Sequence, residues 1–501
     1  FKFSDTTNNR VFTTNNRLTL KSSASGTASV LPLLNGNTIT GKVMVERFIQ
    51  NKKAWRLLSS PTQHDSLTFQ TAWMEGGVLN SNPNPGYGFQ IISNNPSWQT
   101  LGFDTFSRGS TSLKFLDPAL NQWVGVNSVN APMEAGKSYM AFIRGDRSIT
   151  NPSQLSTATT IREIGTLNVG DITYNNIGTS GNQFVAIANP YASAISLLNV
   201  AKNNLDDNYY VWDPFLQNSF GAYQTLTLSG GNILVSPGGG SYVSSNKVES
   251  GQGFIVHTNA GVGSIIFHET DKVAGNNPVL RQGNNASNSI RVNLLKSVNN
   301  QLELHDGVMV LFDDAYANEV DGDDALKLMN PVENLTIINS NKLLAIEKRK
   351  PVLNDDTIHL QINKLPIGNY AMEIVPDVWD TVNVKGFVED KYLHTKQQVS
   401  LIQSSVLSFI INNDSLSYQP NRFYLSFETL RPTPIHFLQV KASLKEKSVE
   451  VNWSVQNQEG VVKYVVEKSV DGIHFNRVGE VAVNPMTDYR SEEHTSELQS
   501  R

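Results

Sequence analysis

The sequence predicts an all-β protein built from tandem antiparallel β-sandwich domains. Three observations carry that reading. Runs of aromatic and β-branched residues recur, such as Tyr139-Met140-Ala141-Phe142-Ile143, Phe184-Val185-Ala186-Ile187-Ala188 and Gly253-Phe254-Ile255-Val256-His257. Gly, Pro and Asn clusters separate these runs at the spacing of sandwich strands. Asn, Ser, Thr and Gly are abundant, which suits turns and polar strand faces and disfavours long helices.

A chain of 501 residues is too long for one hydrophobic core, so several domains are expected. Residues 1–48 open with a small repeat, Thr6-Thr7-Asn8-Asn9-Arg10 recurring as Thr13-Thr14-Asn15-Asn16-Arg17. With the turn signal Asn35-Gly36, this segment reads either as the last coils of a β-solenoid or as edge strands of a sandwich. Residues 49–275 form the large sandwich, with one helical stretch expected over 193–203 after Asn189-Pro190. Gly238-Gly239-Gly240 reads as a flexible loop. Residues 276–289 read as a linker. A second sandwich follows over 290–430, with strands expected over 290–295, 307–312, 335–338, 343–346, 357–362, 368–374 and 422–427.

Arg431-Pro432-Thr433-Pro434 marks the next break. Beyond it, residues 449–453 and 463–475 alternate clearly, and Trp453 suits a sandwich core. Residues 433–489 resemble a fibronectin III or immunoglobulin-like module, truncated because about 55 residues fall short of the ~100 of such a fold. The last stretch, Arg490-Ser491-Glu492-Glu493-His494-Thr495-Ser496-Glu497-Leu498-Gln499-Ser500, resembles the in-frame translation of a sequencing adapter. On that reading residues 490–501 are an artefact with no defined packing.

Composition narrows the function classes. Charged residues make up 17% and the net charge is −5, which leaves no electrostatic footprint for nucleic acid or an anionic membrane. The chain has no cysteine, which excludes disulfides and thiolate metal sites. No apolar run approaches the ~20 residues of a membrane helix. There is no nucleophile elbow, Walker loop, zincin motif or dinucleotide fingerprint. The start at Phe1, inside a strand-like pattern, reads as a fragment whose export signal would lie upstream.

Six short signatures punctuate residues 43–275: Val43-Met44-Val45-Glu46-Arg47-Phe48, Ala54-Trp55-Arg56-Leu57-Leu58-Ser59-Ser60-Pro61, Phe142-Ile143-Arg144-Gly145-Asp146-Arg147, Asn189-Pro190-Tyr191, Tyr210-Val211-Trp212-Asp213-Pro214 and Gly251-Gln252-Gly253-Phe254. In this order they resemble the β-rich ectodomain region of bacterial surface proteins exported by the type IX secretion system. The resemblance covers roughly residues 1–480. It implies a secreted, extracellular or outer-membrane-surface location and a role in adhesion or interaction without catalysis. The sorting domain that ends such proteins has no counterpart here.

Candidate sites are sparse. Asp321, Asp323 and Asp324, with Asp313, Asp314 and Glu319, form an acidic loop that suits calcium, which takes six to eight oxygens. The alternative is a solvated turn, with Asp323 or Asp324 capping a short helix over 325–328. His64-Asp65, His257, His268-Glu269 and Asp271 offer metal ligands without a clear third partner. Arg144-Gly145-Asp146 is the integrin-type tripeptide, but it reads better as a strand end whose Arg and Asp pair locally. Trp55, Trp73, Tyr87, Trp98, Trp123, Tyr209, Tyr210, Trp212 and Tyr223 are either an aromatic core or a platform for a polysaccharide or surface glycan. Tyr87 and Trp98, in turn-like surroundings, are the best exposed ligand contacts. The rival to a binding role is an accessory region of an extracellular hydrolase whose catalytic domain lies upstream of Phe1.

Overall fold

The computed structural model describes residues 1–2, 8–63, 66–106, 110–218, 220–241, 247–274, 288–353, 356–377, 384–429, 435–446, 448–458, 461–484 and 487–494. Among them the only helices are short 3-10 turns, and every long element is a strand. The chain forms two compact units, one of residues 1–379 and 386–427, the other of residues 380–385 and 428–501.

The first unit is built in layers. One sheet takes the order Leu18–Leu20, Val43–Ile49, Thr159–Leu167, Thr62–Gln63. A second takes Gln122–Gly125, Leu113–Asp117, Ser138–Ile143, Ala54–Ser59. A third is Phe184–Ala188, Gly253–His257, Asn208–Asp213, Ala222–Ser229, Asn232–Ser236, and a fourth Ile172–Ile177, Gly263–Phe267, Ala201–Asn203. Period-2 alternation assigns each strand's residues to two cores. In the Asn208–Asp213 strand, Tyr209 and Val211 enter the core shared with the fourth sheet. Tyr210 and Trp212 enter the core shared with the second sheet, where they meet Leu57, Leu116 and Met140. From the second sheet, Leu58, Leu113, Tyr139 and Ala141 face the other way, onto Ile49 and Ile161 of the first. Strands buried on both faces read as continuous apolar runs, which is why 139–143 and 253–257 carry so few polar residues.

At the N-terminus, Val11–Thr13 pairs in parallel with Thr38–Thr40, and Leu18–Leu20 in parallel with Val43–Ile49. The first pairing is of the solenoid kind, while the second makes Leu18–Leu20 the edge of a sandwich sheet. Asn35 and Gly36 both take positive φ, as the Asn-Gly turn requires.

The expected division at 276–289 does not separate compact units. Residues 275–287 lie outside the described residues, and Ser289 already belongs to the strand Ser289–Val298. This strand joins an eleven-stranded sheet ordered Thr395–Val399, Val384–Asp390, Phe423–Thr429, Thr357–Asn363, Asn334–Asn339, Lys342–Arg349, Gln301–Phe312, Ser289–Val298, Gly368–Asp377, Ser405–Ile411, with Ala325–Leu326 beside Lys342–Arg349. Buried hydrogen bonds fasten this sheet to the preceding layers. Asn208 Nδ2 donates to the Asp324 carbonyl at 2.9 Å, the Tyr223 N–H to Asn330 Oδ1 at 2.9 Å, and Gln217 Nε2 to the His305 carbonyl at 3.0 Å.

Both expected helices are strands. Residues 193–203 contain Ala194–Ser196 and Ala201–Asn203, because Ile195 is paired with strands on both sides while Leu197 and Val200 are buried in the same core. Residues 325–328 contain the strand Ala325–Leu326.

The second unit has a sheet of His436–Lys445, Ser448–Gln456 and Asp488–His494 and a hairpin of Lys463–Ser469 with Phe475–Ala482. Trp453, Val455, Tyr464 and Tyr489 are its core, with Trp453 and Tyr489 stacked at 5.6 Å. The expectation of no packing over 490–501 is corrected for its first five residues. Arg490 to His494 pair in register with Asn452 to Ser448, because Tyr489 anchors their strand in the aromatic core. Residues 495–501, Leu498 among them, lie outside the described residues.

Candidate functional site

Four of the six signatures meet at one cleft of about 220 Å³, lined by Arg47, Phe48, Gln50, Arg56, Leu57, Trp212, Pro214, Phe215, Ser241 and Gln252. A neighbouring hollow of about 300 Å³ shares Arg47, Phe48 and Gln50 and continues past Ser22, Ser23, Gly26, Thr27, Glu249 and Ser250. The strand Val43–Ile49 supplies Arg47 and Phe48, and the next strand, Ala54–Ser59, supplies Arg56.

The glycines of the Gly251-Gln252-Gly253 signature explain the wall opposite. Gly251 sits at φ +69, where L side chains are strained, and a Cβ there would stand 3.4 Å from Arg47 Cδ. At Gly253 a Cβ would collide with Ser138 Cβ at 2.1 Å, so only glycine allows the strand this close. Asn189 holds the same turn by donating from Nδ2 to the Val248 and Glu249 carbonyls at 3.0 and 3.1 Å. The Ser59 N–H donates to the Gly251 carbonyl at 3.0 Å. This clamp presents the Ser250 carbonyl to Arg47 Nη1 at 2.7 Å.

Arg56 is the electrostatically unusual member. It is buried, and its guanidinium reaches only backbone carbonyls: Lys52 at 3.2 Å, Ala54 at 3.4 Å and Gln50 at 3.4 Å. Among the described residues no carboxylate lies within ion-pair distance of it. Desolvation, and then the neighbouring Arg47 charge, pull its pKa down to about 10, so it remains a cation at neutral pH. Lys52 lies over the Phe215 ring at 5.1 Å from its centroid, and burial lowers its pKa, with Asp213 opposing and Arg56 adding to the effect. The Asp213 carboxylate is occupied. It accepts from the Ser241 N–H at 2.5 Å, Ser241 Oγ at 2.9 Å and the Phe215 N–H at 2.8 Å. These bonds also tie down Ser241, the residue after the triple glycine. Gly239 and Pro237 carbonyls accept from Gln224 Nε2, so 237–241 is anchored and not the free loop its glycines predict. Buried donors remain: among the described residues Trp212 Nε1 and Ser250 Oγ have no partner. The site therefore offers cations and the rings of Phe48 and Phe215 in one concavity, with Trp212 buried in its wall.

The residues picked out by sequence lie elsewhere. Tyr87 is half-buried, and Arg162 covers one face of its ring at 3.9 Å, itself paired with Glu75. Trp98 is half-buried and packs against the core of Phe69, Trp73 and Phe103. Trp73, Tyr209, Tyr210, Trp212 and Tyr223 are buried, so most of the aromatic concentration is core.

In the acidic loop, Asp321 and Asp323 are exposed, but Asp324 is buried. Its carboxylate accepts from the backbone N–H groups of Lys348 at 2.8 Å and Asp321 at 3.0 Å. Asp324 therefore ties its loop to the sheet and caps no helix. Among the described residues no group of three His, Asp or Glu is placed to hold a metal. His257 Nδ1 lies 2.7 Å from Asp206, and His268 Nδ1 lies 2.8 Å from Asp171, so the two histidines serve separate pairs. His64 and Asp65 fall outside the described residues.

Arg144 and Asp146 do not pair with each other. Arg144 stacks on Phe106 and Phe142, at 4.3 and 4.7 Å, while Asp146 accepts from the Gly86 N–H at 2.8 Å. Both are buried, which removes the exposed loop tip that integrin binding needs. Sequence reasoning missed Arg47, Arg56, Phe215 and Ser250. The signal was present, since Arg47, Arg56 and Trp212 lie inside the signatures.

A family model described as a domain of unknown function (DUF8693) matches residues 81–427, more than half of the chain. The match crosses the 276–289 segment and stops where the first compact unit stops. It includes Trp212, Phe215 and Ser250 of the cleft, whereas Arg47 and Arg56 precede it. No curated protein and no solved structure matches the chain.

Proposed function

This chain belongs to the DUF8693 family, a domain of unknown function, and from that premise we propose that it is the non-catalytic binding part of a secreted or cell-surface multidomain bacterial protein. Its role is adhesion or interaction, its partner a polysaccharide or surface glycan. The cleft of Arg47, Arg56, Trp212 and Phe215 is the observation that supports this reading. Sugars pack their C–H faces on rings while their hydroxyls need donors and acceptors, and the cleft supplies both kinds of contact. The resemblance of the signatures to type IX surface proteins supports the location, and residues 433–489 are read as a truncated fibronectin III or immunoglobulin-like module of such a protein.

The cleft is preferred to Tyr87 and Trp98 because Phe215 is exposed at a concavity, whereas Tyr87 is half-buried under Arg162 and Trp98 packs on the core. A glycan array probed with the whole chain tests this. Weak, selective binding is expected. It should be lost on Phe215→Ala, whose ring is 46% exposed, and kept on Tyr87→Ala. Silence across neutral and charged glycans would overturn the reading, and loss on Tyr87→Ala with Phe215→Ala unaffected would move the site.

A further inference from the structure

Resting on the glycan reading above, we propose that the cleft selects an acidic polysaccharide, with a uronate carboxylate of the ligand completing the shell of Arg56.

The argument begins with an imbalance. A buried guanidinium is normally compensated by a carboxylate, because carbonyl dipoles alone leave a net charge in a medium that screens it poorly. Two buried arginines of this unit obey that rule, whereas Arg144 is held by the rings of Phe106 and Phe142 instead. Arg147 forks onto Asp104 with both contacts at 2.9 Å, and Arg422 onto Asp390 at 2.9 and 2.7 Å. Arg56 has carbonyl partners only, stands beside Arg47, and borders an open cleft with Lys52 next to it.

The fold has placed the charge of Arg47 near Arg56, and among the described residues Arg56 itself has no acidic partner. An anion entering from solvent would relieve both the desolvation and the repulsion. A guanidinium fork matches a planar carboxylate bidentately. Phe215 and Phe48 then offer rings for the sugar that carries it, and Ser250 Oγ, at the outer hollow, has no partner among the described residues.

The surrounding acids set the limits of the site. Asp213 is saturated by Ser241 and Phe215, and Glu303 acts on Lys52 through charge alone. Glu163 lies within charge range of Arg47 but is buried against Trp73. Glu249 lines the outer hollow, where a polyanion would pass. The chain as a whole carries −5, so attraction is local to the cleft and falls steeply with salt.

The test uses the whole chain and three polymers of similar length: polygalacturonate, a neutral glucan and a sulfated glucan. Calorimetry or interferometry at low and physiological salt reads the affinity. Polygalacturonate should bind at least tenfold tighter than the neutral glucan. Arg56→Gln should remove that preference, Lys52→Gln should reduce it two- to fivefold, and Glu249→Gln should raise affinity for the acidic polymer. Thermal melts confirm that each variant is folded. Arg56→Lys keeps the charge without the fork, and it should retain sulfated-glucan binding while losing the preference for carboxylate. If Arg56→Gln fails to fold, Lys52→Gln and Glu249→Gln alone decide. Equal binding of neutral and acidic polymers overturns the acidic preference but leaves the glycan reading intact. Tighter binding of the sulfated polymer than of polygalacturonate overturns the carboxylate assignment. No binding of any polymer removes both readings.

Discussion

Glu163 shows how much a single side chain can reveal about burial. Its carboxyl accepts from Trp73 Nε1 at 2.7 Å, deep between two sheets. Burial raises its pKa from 4.5 to about 7, against the smaller opposing effects of Ser60, Trp73 and Arg47. The sign follows from proton counting. Between those two values the folded state holds a proton that the unfolded state has released, so stability falls as pH rises. The contribution is fully present below about pH 4.5 and gone above about 7. Denaturant titrations of the wild type and Glu163→Gln should therefore diverge with pH, the wild type losing roughly 3 kcal/mol relative to the variant between pH 4.5 and 8. A pH-independent difference would assign the titration to another group.

Arg147 makes the opposite case. With both side chains of its pair fully buried, it also donates from Nε to the Ser81 carbonyl at 2.6 Å, and Asp104 accepts the Asn80 N–H at 2.7 Å. Asp104→Asn leaves that cation uncompensated and should cost about 3–5 kcal/mol in urea unfolding. Sequence reading placed the Arg144–Arg147 stretch correctly at a strand end. It could not find partners 43 to 60 residues away, since local spacing carries no information about which loop folds back.

At the scale of elements, what was legible depended on whether a segment's pattern was local. The strands over 139–143, 184–188 and 253–257 were legible because β-branched and aromatic runs have few other uses. The 193–203 segment was not. Its Ala, Leu and Ser residues suit a helix, and only pairing with the distant strands Lys247–Val248 and Gly263–Phe267 decides otherwise. The acidic loop was legible as a loop but not in its purpose. Asp321, Asp323 and Asp324 look alike in sequence, yet Asp324 alone turns inward to two backbone donors. Chelation of divalent cations should consequently shift the melting temperature by less than about 2 °C. Asp324→Ala should destabilise by about 1–3 kcal/mol, because it leaves two N–H groups unpaired. A large shift on chelation that Asp321→Ala with Asp323→Ala abolishes would restore calcium to the loop.

For the whole molecule, the sequence broke into domains at its Gly- and Asn-rich segment, whereas the structure makes residues 1–379 and 386–427 one unit. Composition marks where a chain can bend, and it does not say whether the flanking parts pack. Here they do so through groups that no isolated half could satisfy. Asn208, Gln217 and Lys348 donate across the junction to carbonyls of the other part, Lys348 Nζ to Leu228 at 3.0 Å. Met309, Leu311, Ala325 and Ile346 form a core that Leu234 from the earlier layers helps to close. Expressed alone, residues 1–274 would expose buried Tyr223, Asn208 and Gln217, and residues 288–427 would expose the Met309 cluster. Each half should therefore be insoluble or partly folded, while co-expression should recover a complex with native near-ultraviolet circular dichroism. In the intact chain, the Arg56 cleft and the eleven-stranded sheet should lose structure in a single transition. Hydrogen exchange reads this directly: amides of Ala54–Ser59 and Lys342–Arg349 should share one opening free energy. Two well-separated values, with soluble halves, would restore the boundary that the glycines suggest and let the binding cleft be studied without its neighbour.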